Sequence, residues 1–402
     1  MLKKAIGLML LLGLTFAIAT TLLASENFDM FSEEYSISEF DEDFLRNLGQ
    51  ARQNDANIMA LFPKNRLGET MYPDFIGGIY YNSEGNLVLQ LVNNNHQTLL
   101  EDENLVVSQL RSMDIIIEYV DFSYNYLNYL MDIIGEASRP ESFQWAGTDP
   151  ASNGVVIGLL PYNETEISRF LNKIVYSPVI TFVEAEAPSQ IWILPETYSL
   201  EELLEMGVSI SPTNQSTINP GGTLNFGGLF SLGYRARVGN REGFITTGHN
   251  PSLGMNAFIP GVGTVREHSN HGSVDAAFVD TTGHNVTLTN NIAHGGGPLG
   301  TATITVFRQG DAFAKAGART QLTRGTVTNP NAILDQITGQ VRTNARGGRG
   351  DSGGIVFAIP VVGPIWGGAT AGIVAGGEGD ISYTMTFTRA TSIDGRFQTR
   401  RY

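Results

Sequence analysis

Arg349-Gly350-Asp351-Ser352-Gly353-Gly354 places one serine hydroxyl in a run with almost no side-chain bulk. A serine acts as a nucleophile when its oxygen is reachable and a base lies beside it. Glycines on both sides let the backbone bend sharply and let a substrate carbonyl approach. They also leave the amides of Gly350 and Ser352 free to point at one spot, as an oxyanion hole requires. The same residue types build ordinary surface turns. The choice between the two readings therefore depends on a histidine and an acid elsewhere in the chain.

The surrounding composition narrows the class. The chain has 402 residues, of which 46 are glycine, and only 16% are charged. That balance favours a loop-rich, strand-rich globule over a coiled coil or a basic nucleic-acid binder. A formal net charge of -15 argues against general affinity for nucleic acid or anionic lipid. The charge is unevenly placed. Residues 26–200 hold 27 acidic and 8 basic side chains, whereas residues 201–402 hold 13 and 15. Two compositions in one chain predict two modules that attract each other. The absence of cysteine excludes disulfides and thiolate chemistry.

The N-terminus has the form of an export signal. Lys3 and Lys4 precede an uncharged apolar run from Ala5 to Leu23, and Ala24-Ser25 offers small residues before Glu26. Cleavage there predicts a secreted protein. The run is also long enough to serve as a retained membrane anchor. The expected organisation is a signal peptide over 1–25, an acidic α+β module over 26–184, a linker with a processing region over 185–217, and a glycine-rich module over 218–402.

In the acidic module, the spacing predicts an amphipathic helix within 36–60, a hairpin from Tyr72 to Val92, and one helical stretch from Leu99 to Glu136. Strands follow at 155–160 and 178–183, with a helix over 164–175 between them. Its one histidine, His96, sits among asparagines and reads as a solvated loop residue. Pro188, Pro195 and Pro212 mark the linker, and exposed segments of this kind concentrate proteolysis.

From Ile218 onward, short strands alternate with Gly and Asn turns: 232–238, 243–247, 276–279, 301–307, 325–327, 354–357 and 372–374. Such spacing predicts an all-β sandwich or barrel, with room for two small barrels. His249 ends the strand Gly243-Phe244-Ile245-Thr246-Thr247-Gly248-His249, a rigid placement suited to a general base. Asp275 opens the apolar strand Val274-Asp275-Ala276-Ala277-Phe278-Val279. A carboxylate there needs a cation or hydrogen-bond donors, and a histidine N–H is such a partner. Asp280, after the strand, is the weaker candidate. His268 and His271 flank a loop without regular metal-ligand spacing, so no metal is expected.

Taken in the order His249, Asp275, Ser352, the second module resembles the chymotrypsin-type serine proteases of bacteria, the branch of α-lytic protease and the streptogrisins. Similar segments cover nearly all of residues 218–402. Gly243 to His249 resembles the family's histidine segment, Val274-Asp275-Ala276-Ala277 its aspartate strand, and Gly348 to Gly354 its nucleophile segment. Lys315-Ala316-Gly317 through Gly325-Thr326-Val327 resembles the start of its second barrel, and Gly372 to Gly377 its substrate-binding strand. The resemblance implies two packed six-stranded antiparallel barrels preceded by an α+β pro-domain. It also implies a cofactor-free endopeptidase working through an acyl-enzyme, with His249, Asp275 and Ser352 as triad and Gly350 and Ser352 as oxyanion donors. Substrate binding then falls to Gly347, Arg349, Val374, Ala375, Gly376 and Gly377. Polypeptides are the expected partners of a monomeric enzyme. The pro-domain is implied to be its folding aid and inhibitor, with Tyr72 to Leu91 weakly similar to such a segment.

The departures are specific. Asn250 and Arg346 stand where the family has cysteines, and Ala375 where a serine often bonds the triad acid. Gly347 and Val374 replace methionines that line the pocket of α-lytic protease, which implies a deeper pocket for a medium or large apolar side chain. Arg346 or Arg349 would instead select an acidic one. A catalytically silent binding module, an esterase or a protease of narrow, self-processing scope, and a membrane-tethered protease are the competing readings.

Overall fold

Asn82-Ser83-Glu84-Gly85-Asn86 forms a turn between two β-rich runs. The structure is a computed structural model that describes residues 40–66, 70–93, 101–192, 200–206, 208, 217–359 and 368–402. The signal and anchor readings, His96 and much of the processing region lie outside the described residues. Among these, no helix is long and apolar enough to cross a membrane. Glu42–Tyr402 forms one compact unit.

Helix α1 (Glu42–Leu61) buries Leu48, Ala51 and Ile58. Strands β1 (Ile76–Tyr81) and β2 (Leu87–Val92) form the expected hairpin. The stretch after it is not one helix. Helix α2 (Glu101–Arg111) gives way to strand β3 (Ile116–Val120), which pairs in parallel with β2, before helix α3 (Tyr124–Glu136) begins. The run Ile115-Ile116-Ile117 followed by Tyr119-Val120 explains the break, because β-branched and aromatic side chains suit a pleated surface. Strands β4 (Phe143–Asp149) and β5 (Gly154–Leu159), helix α4 (Glu164–Lys173) and strand β6 (Ile180–Glu184) complete this half. Their core gathers Leu127, Leu130, Ile134, Ile157 and Phe170. The linker holds more order than expected, with a strand β7 (Ser189–Ile191) and a helix α5 (Leu200–Glu205).

The glycine-rich half is built on two β sheets. In the first, β8 (Thr223–Asn225), β9 (Leu229–Val238), β10 (Arg241–Thr246), β11 (Phe258–Ile259), β12 (Gly263–His271) and β13 (Val274–Asp280) pair in the order β11-β12-β13-β10-β9-β8. Phe230, Phe244, Val265 and Val279 fill it. The second contains β14 (Ala312–Gly317), β15 (Gln321–Leu334), β16 (Ile337–Thr343), β17 (Ile355–Ala358), β18 (Thr370–Glu378) and β19 (Met385–Arg389). It closes into a six-stranded barrel because β14 pairs with both β15 and β17. Phe313, Val327, Val341, Val374 and Phe387 pack inside. Helix α6 (Ala390–Phe397) leads to β20 (Thr399–Arg400), which joins the first sheet beside β9. Residues 301–307, expected as a strand, contribute only an isolated bridge from Thr303 to Thr370.

The two halves share a sheet. Strand β15 runs beyond its barrel, and Ala332, Ile333 and Leu334 pair with Gly147, Ala146 and Trp145 of β4. Ile333 thereby enters the core of the acidic half. Buried charge adds to the contact. Arg308 donates to both carboxylate oxygens of Asp55, at 3.0 and 2.9 Å, and Arg52 pairs with Asp311 at 2.5 Å.

Candidate active site

Strand β10 ends at Thr246, and Thr247-Gly248 carry the chain on to His249. A Cβ on Gly248 would lie 2.0 Å from the Ser269 carbonyl oxygen, so only glycine lets this segment pass so close to β12. Asp275 is the second residue of β13, opposite Asn270 on β12. Its carboxylate is buried and accepts twice, from the Gly248 amide at 3.0 Å and from His249 Nδ1 at 2.5 Å. These donors meet the condition that a buried carboxylate imposes. His249 Nε2 lies 3.1 Å from Ser352 Oγ. Three side chains from two barrels are thus linked in one hydrogen-bonded row. Asp280 lies at the far end of β13, beside Arg241 and Arg266. His268 donates from Nε2 to the Gly248 carbonyl at 2.7 Å, so it braces the histidine segment. Among the described residues, no cluster of potential metal ligands is present.

The serine sits in a tight turn before β17. The Asp351 amide donates to the Gly348 carbonyl at 3.0 Å and the Gly354 amide to the Asp351 carbonyl at 2.8 Å. Gly350 and Gly353 adopt φ of 100° and 83°, conformations that side chains with a Cβ rarely accept. At Gly353 a Cβ would also meet Ser231 O and Thr246 Oγ1, each at 2.4 Å. The Asp351 side chain points inward and is fully buried, with Lys315 Nζ at 2.8 Å. The amides of Gly348, Arg319 and Thr320 and the Thr320 hydroxyl also donate to it. Burial by itself would raise this carboxyl. The Lys315 charge and the hydrogen bonds outweigh it and hold Asp351 below the usual carboxylate range. Burial likewise draws the Lys315 ammonium below its ordinary value, against the pull of Asp351.

Strand β7 lies against β18 in antiparallel register, Ile191 opposite Gly376, Gln190 opposite Gly377 and Ser189 opposite Glu378. The next residue, Trp192, turns its carbonyl to the Gly350 amide, which donates at 3.1 Å. Ser352 Oγ also lies 3.1 Å from the Ala375 carbonyl. The Trp192 side chain is fully buried and packs with Val327, Val341, Ala345, Val374 and Met385. A Cβ on Gly347 or Gly377 would come within 2.4 Å of an indole carbon. The indole N–H donates to the Gly379 carbonyl at 2.8 Å. Arg349 faces Asp380 at 3.7 Å. Arg346 supports the turn through its carbonyl, which accepts from Thr323 Oγ1 at 2.8 Å.

Three contributors escaped the sequence reading. Thr247 Oγ1 lies 2.8 Å from His249 Nδ1 and 3.1 Å from Nε2. Ser231 donates its amide to the Ser352 carbonyl at 2.8 Å and its hydroxyl to the Gly350 carbonyl at 2.7 Å. It also accepts from the Ala318 amide at 2.8 Å. Trp192 is the third. Its only sequence signal was the apolar run Ile191-Trp192-Ile193-Leu194 inside a polar, proline-marked linker.

Comparison with known proteins adds two findings. Residues 125–185, from the start of α3 through β6, match the model of a Pro-like C-terminal domain. This falls later in the chain than the weak pro-segment similarity at Tyr72 to Leu91. The chain is also similar to protease A of Thermobifida fusca, at 25% identity over 46% of this chain and 98% of that one, with a TM-score of 0.39. Cellulomonas bogoriensis chymotrypsin gives 26% identity over the same shares and a TM-score of 0.39. A Nocardiopsis protease gives 26% over the same shares and 0.38. The chain thus resembles bacterial chymotrypsin-like proteases over 46% of its length.

Proposed function

We propose that this chain is a serine endopeptidase made as a secreted precursor, with the acidic half as pro-domain and residues 218–402 as the enzyme. The observation that carries the reading is the row Asp275–His249–Ser352, with the Gly350 amide aimed at a carbonyl beside it. In this mechanism Ser352 Oγ bonds to the substrate carbonyl carbon and its proton passes to His249 Nε2. Asp275 accepts from Nδ1, fixes the tautomer and stabilises the imidazolium. The amides of Gly350 and Ser352 hold the developing oxyanion, each contributing about 3 kcal/mol. His249 then returns the proton to the departing amine. A water, deprotonated by the same histidine, cleaves the acyl-enzyme and releases the acid. Backbone groups of β18 align the substrate as an added strand. No step calls for a cofactor or metal.

A fluorophosphonate probe on the processed protein tests the reading, with labelling expected at Ser352 and lost in Ser352→Ala. That substitution is expected to lower kcat on peptides by about 10⁶. An unlabelled Ser352, or peptidase activity retained in the variant, sinks the assignment. Casein set beside simple esters separates a peptidase from an esterase.

A further inference from the structure

We propose that Ser189–Trp192 is the enzyme's own first substrate, that the bond following Trp192 is the processing bond, and that the pocket filled by Trp192 makes the mature enzyme specific for large aromatic side chains, tryptophan above all. This rests on the peptidase reading and adds to it the substrate class and the control of the site.

Three independent contacts treat this segment as a substrate. Its backbone is paired to the glycine-rich strand, in register, over Gly376 to Glu378. Its last described carbonyl accepts from Gly350, the amide an oxyanion needs. Its last described side chain fills a closed apolar pocket. A segment packed as a plain lid would satisfy the first contact without the other two.

The pocket is shaped to an indole. The two glycines that flank the ring, Gly347 and Gly377, leave no room for a Cβ on either side. The ring belongs to an apolar cluster of aliphatic and aromatic side chains. A charged side chain would be placed in this apolar cluster, which is costly unless it is paired. A phenyl ring fits the same slot but leaves the Gly379 carbonyl without the indole donor. Arg349, one of the two arginines that would favour an acidic substrate, faces Asp380. Asp380 is also held by Arg319 through two 2.8 Å bonds.

Cleavage there is a balanced acyl transfer. Ser352 Oγ bonds to the Trp192 carbonyl carbon, the bond to Ile193 breaks, and His249 protonates the departing Ile193 amine as the new N-terminus. Water then converts the ester to the Trp192 carboxylate. Until that segment leaves, Ser352 is fully buried, so the precursor blocks its own site.

The test uses the full chain. Wild-type precursor is expected to yield a fragment starting at Ile193 by intact mass and N-terminal sequencing, whereas Ser352→Ala stays whole. Trp192→Phe should process roughly tenfold more slowly, and Trp192→Asp and Gly347→Met should accumulate as precursor. Because a variant can fail by misfolding, the mature wild-type enzyme is also profiled on a peptide series. Tryptophan before the scissile bond is expected to exceed glutamate or lysine by about 100-fold. A first cut elsewhere, processing of Trp192→Asp at the wild-type rate, or a preference for glutamate or lysine overturns this proposal while leaving the peptidase intact. A wild-type protein that neither cleaves peptides nor takes a fluorophosphonate instead removes the peptidase reading itself.

Discussion

Ala375 has no hydroxyl to offer the acid of the site, yet a hydroxyl stands nearby. Thr247 Oγ1 lies within 3.1 Å of both ring nitrogens of His249, close enough to hold the imidazole in its working plane. It is a positioning residue, because it acts through the histidine. Thr247→Val is therefore expected to lower kcat by about tenfold with little change in KM. Thr247→Ser should restore most of the loss, a rescue that a purely structural methyl contact would not give. At Asp351 the expected effect is on stability. Replacing Lys315 by methionine leaves a buried carboxylate unpaired, at a cost of about 3–5 kcal/mol. The sign with pH is fixed by the direction of the Asp351 shift. A carboxyl held below its unfolded value adds stability above the ordinary carboxylate range and loses it as pH falls through the lowered folded value. In Lys315→Met the unpaired carboxyl is relieved by protonation, so the gap between variant and wild type narrows with acid. Thermal unfolding at pH 7 and pH 4, in a Ser352→Ala background that prevents self-cleavage, checks this. A gap that widens in acid would falsify it.

At the scale of elements, the local signals were strong where a motif coincides with a strand end. His249 follows the end of β10 by three residues, Asp275 is the second residue of β13, and Ser352 lies in a turn where Gly350 and Gly353 take positive φ. Those positions were legible because each depends on its own neighbours in sequence. Ser231 was not, because its bonds to Gly350 and Ser352 join positions more than a hundred residues apart. The stretch from Leu99 to Glu136 misled for a different reason. Its helical spacing is real at both ends, but pairing with β2 claims Ile116–Val120. The shared sheet gives a test of its own. Ile333 lies on a strand of the enzyme half yet is buried in the core of the acidic half. Ile333→Ala is expected to destabilise the precursor by about 2–4 kcal/mol and to leave the melting temperature of the isolated mature enzyme nearly unchanged. Calorimetry on the two species separates these outcomes.

For the whole molecule, charge asymmetry predicts attraction between the halves, and among the described residues Arg308–Asp55 and Arg52–Asp311 are ion pairs that join them. Asp55 and Arg308 bind each other inside the unit, where salt screens weakly. Asp55→Asn should therefore destabilise the precursor by about 3–5 kcal/mol, with a deficit that persists from low to high ionic strength in denaturant titrations. A surface attraction would fade with added salt.

Departure of the acidic half has a consequence for the fragment left behind. Ala332–Leu334 would lose the β4 ladder, and the enzyme would be left with an unclaimed row of amides and carbonyls along one rim. Such a rim is a template for stray strands. The rim is guarded by its own sequence. Strand β15 carries Pro330, which has no amide to donate, and its pairing with β16 shifts register between Val327 and Asn329, between Asn329 and Ala332, and between Ala332 and Leu334. These irregularities twist the strand away from a flat partner. The same stretch that accepts one matched sheet would thus discourage self-association of a released fragment, where a straight, regular rim would draw copies together.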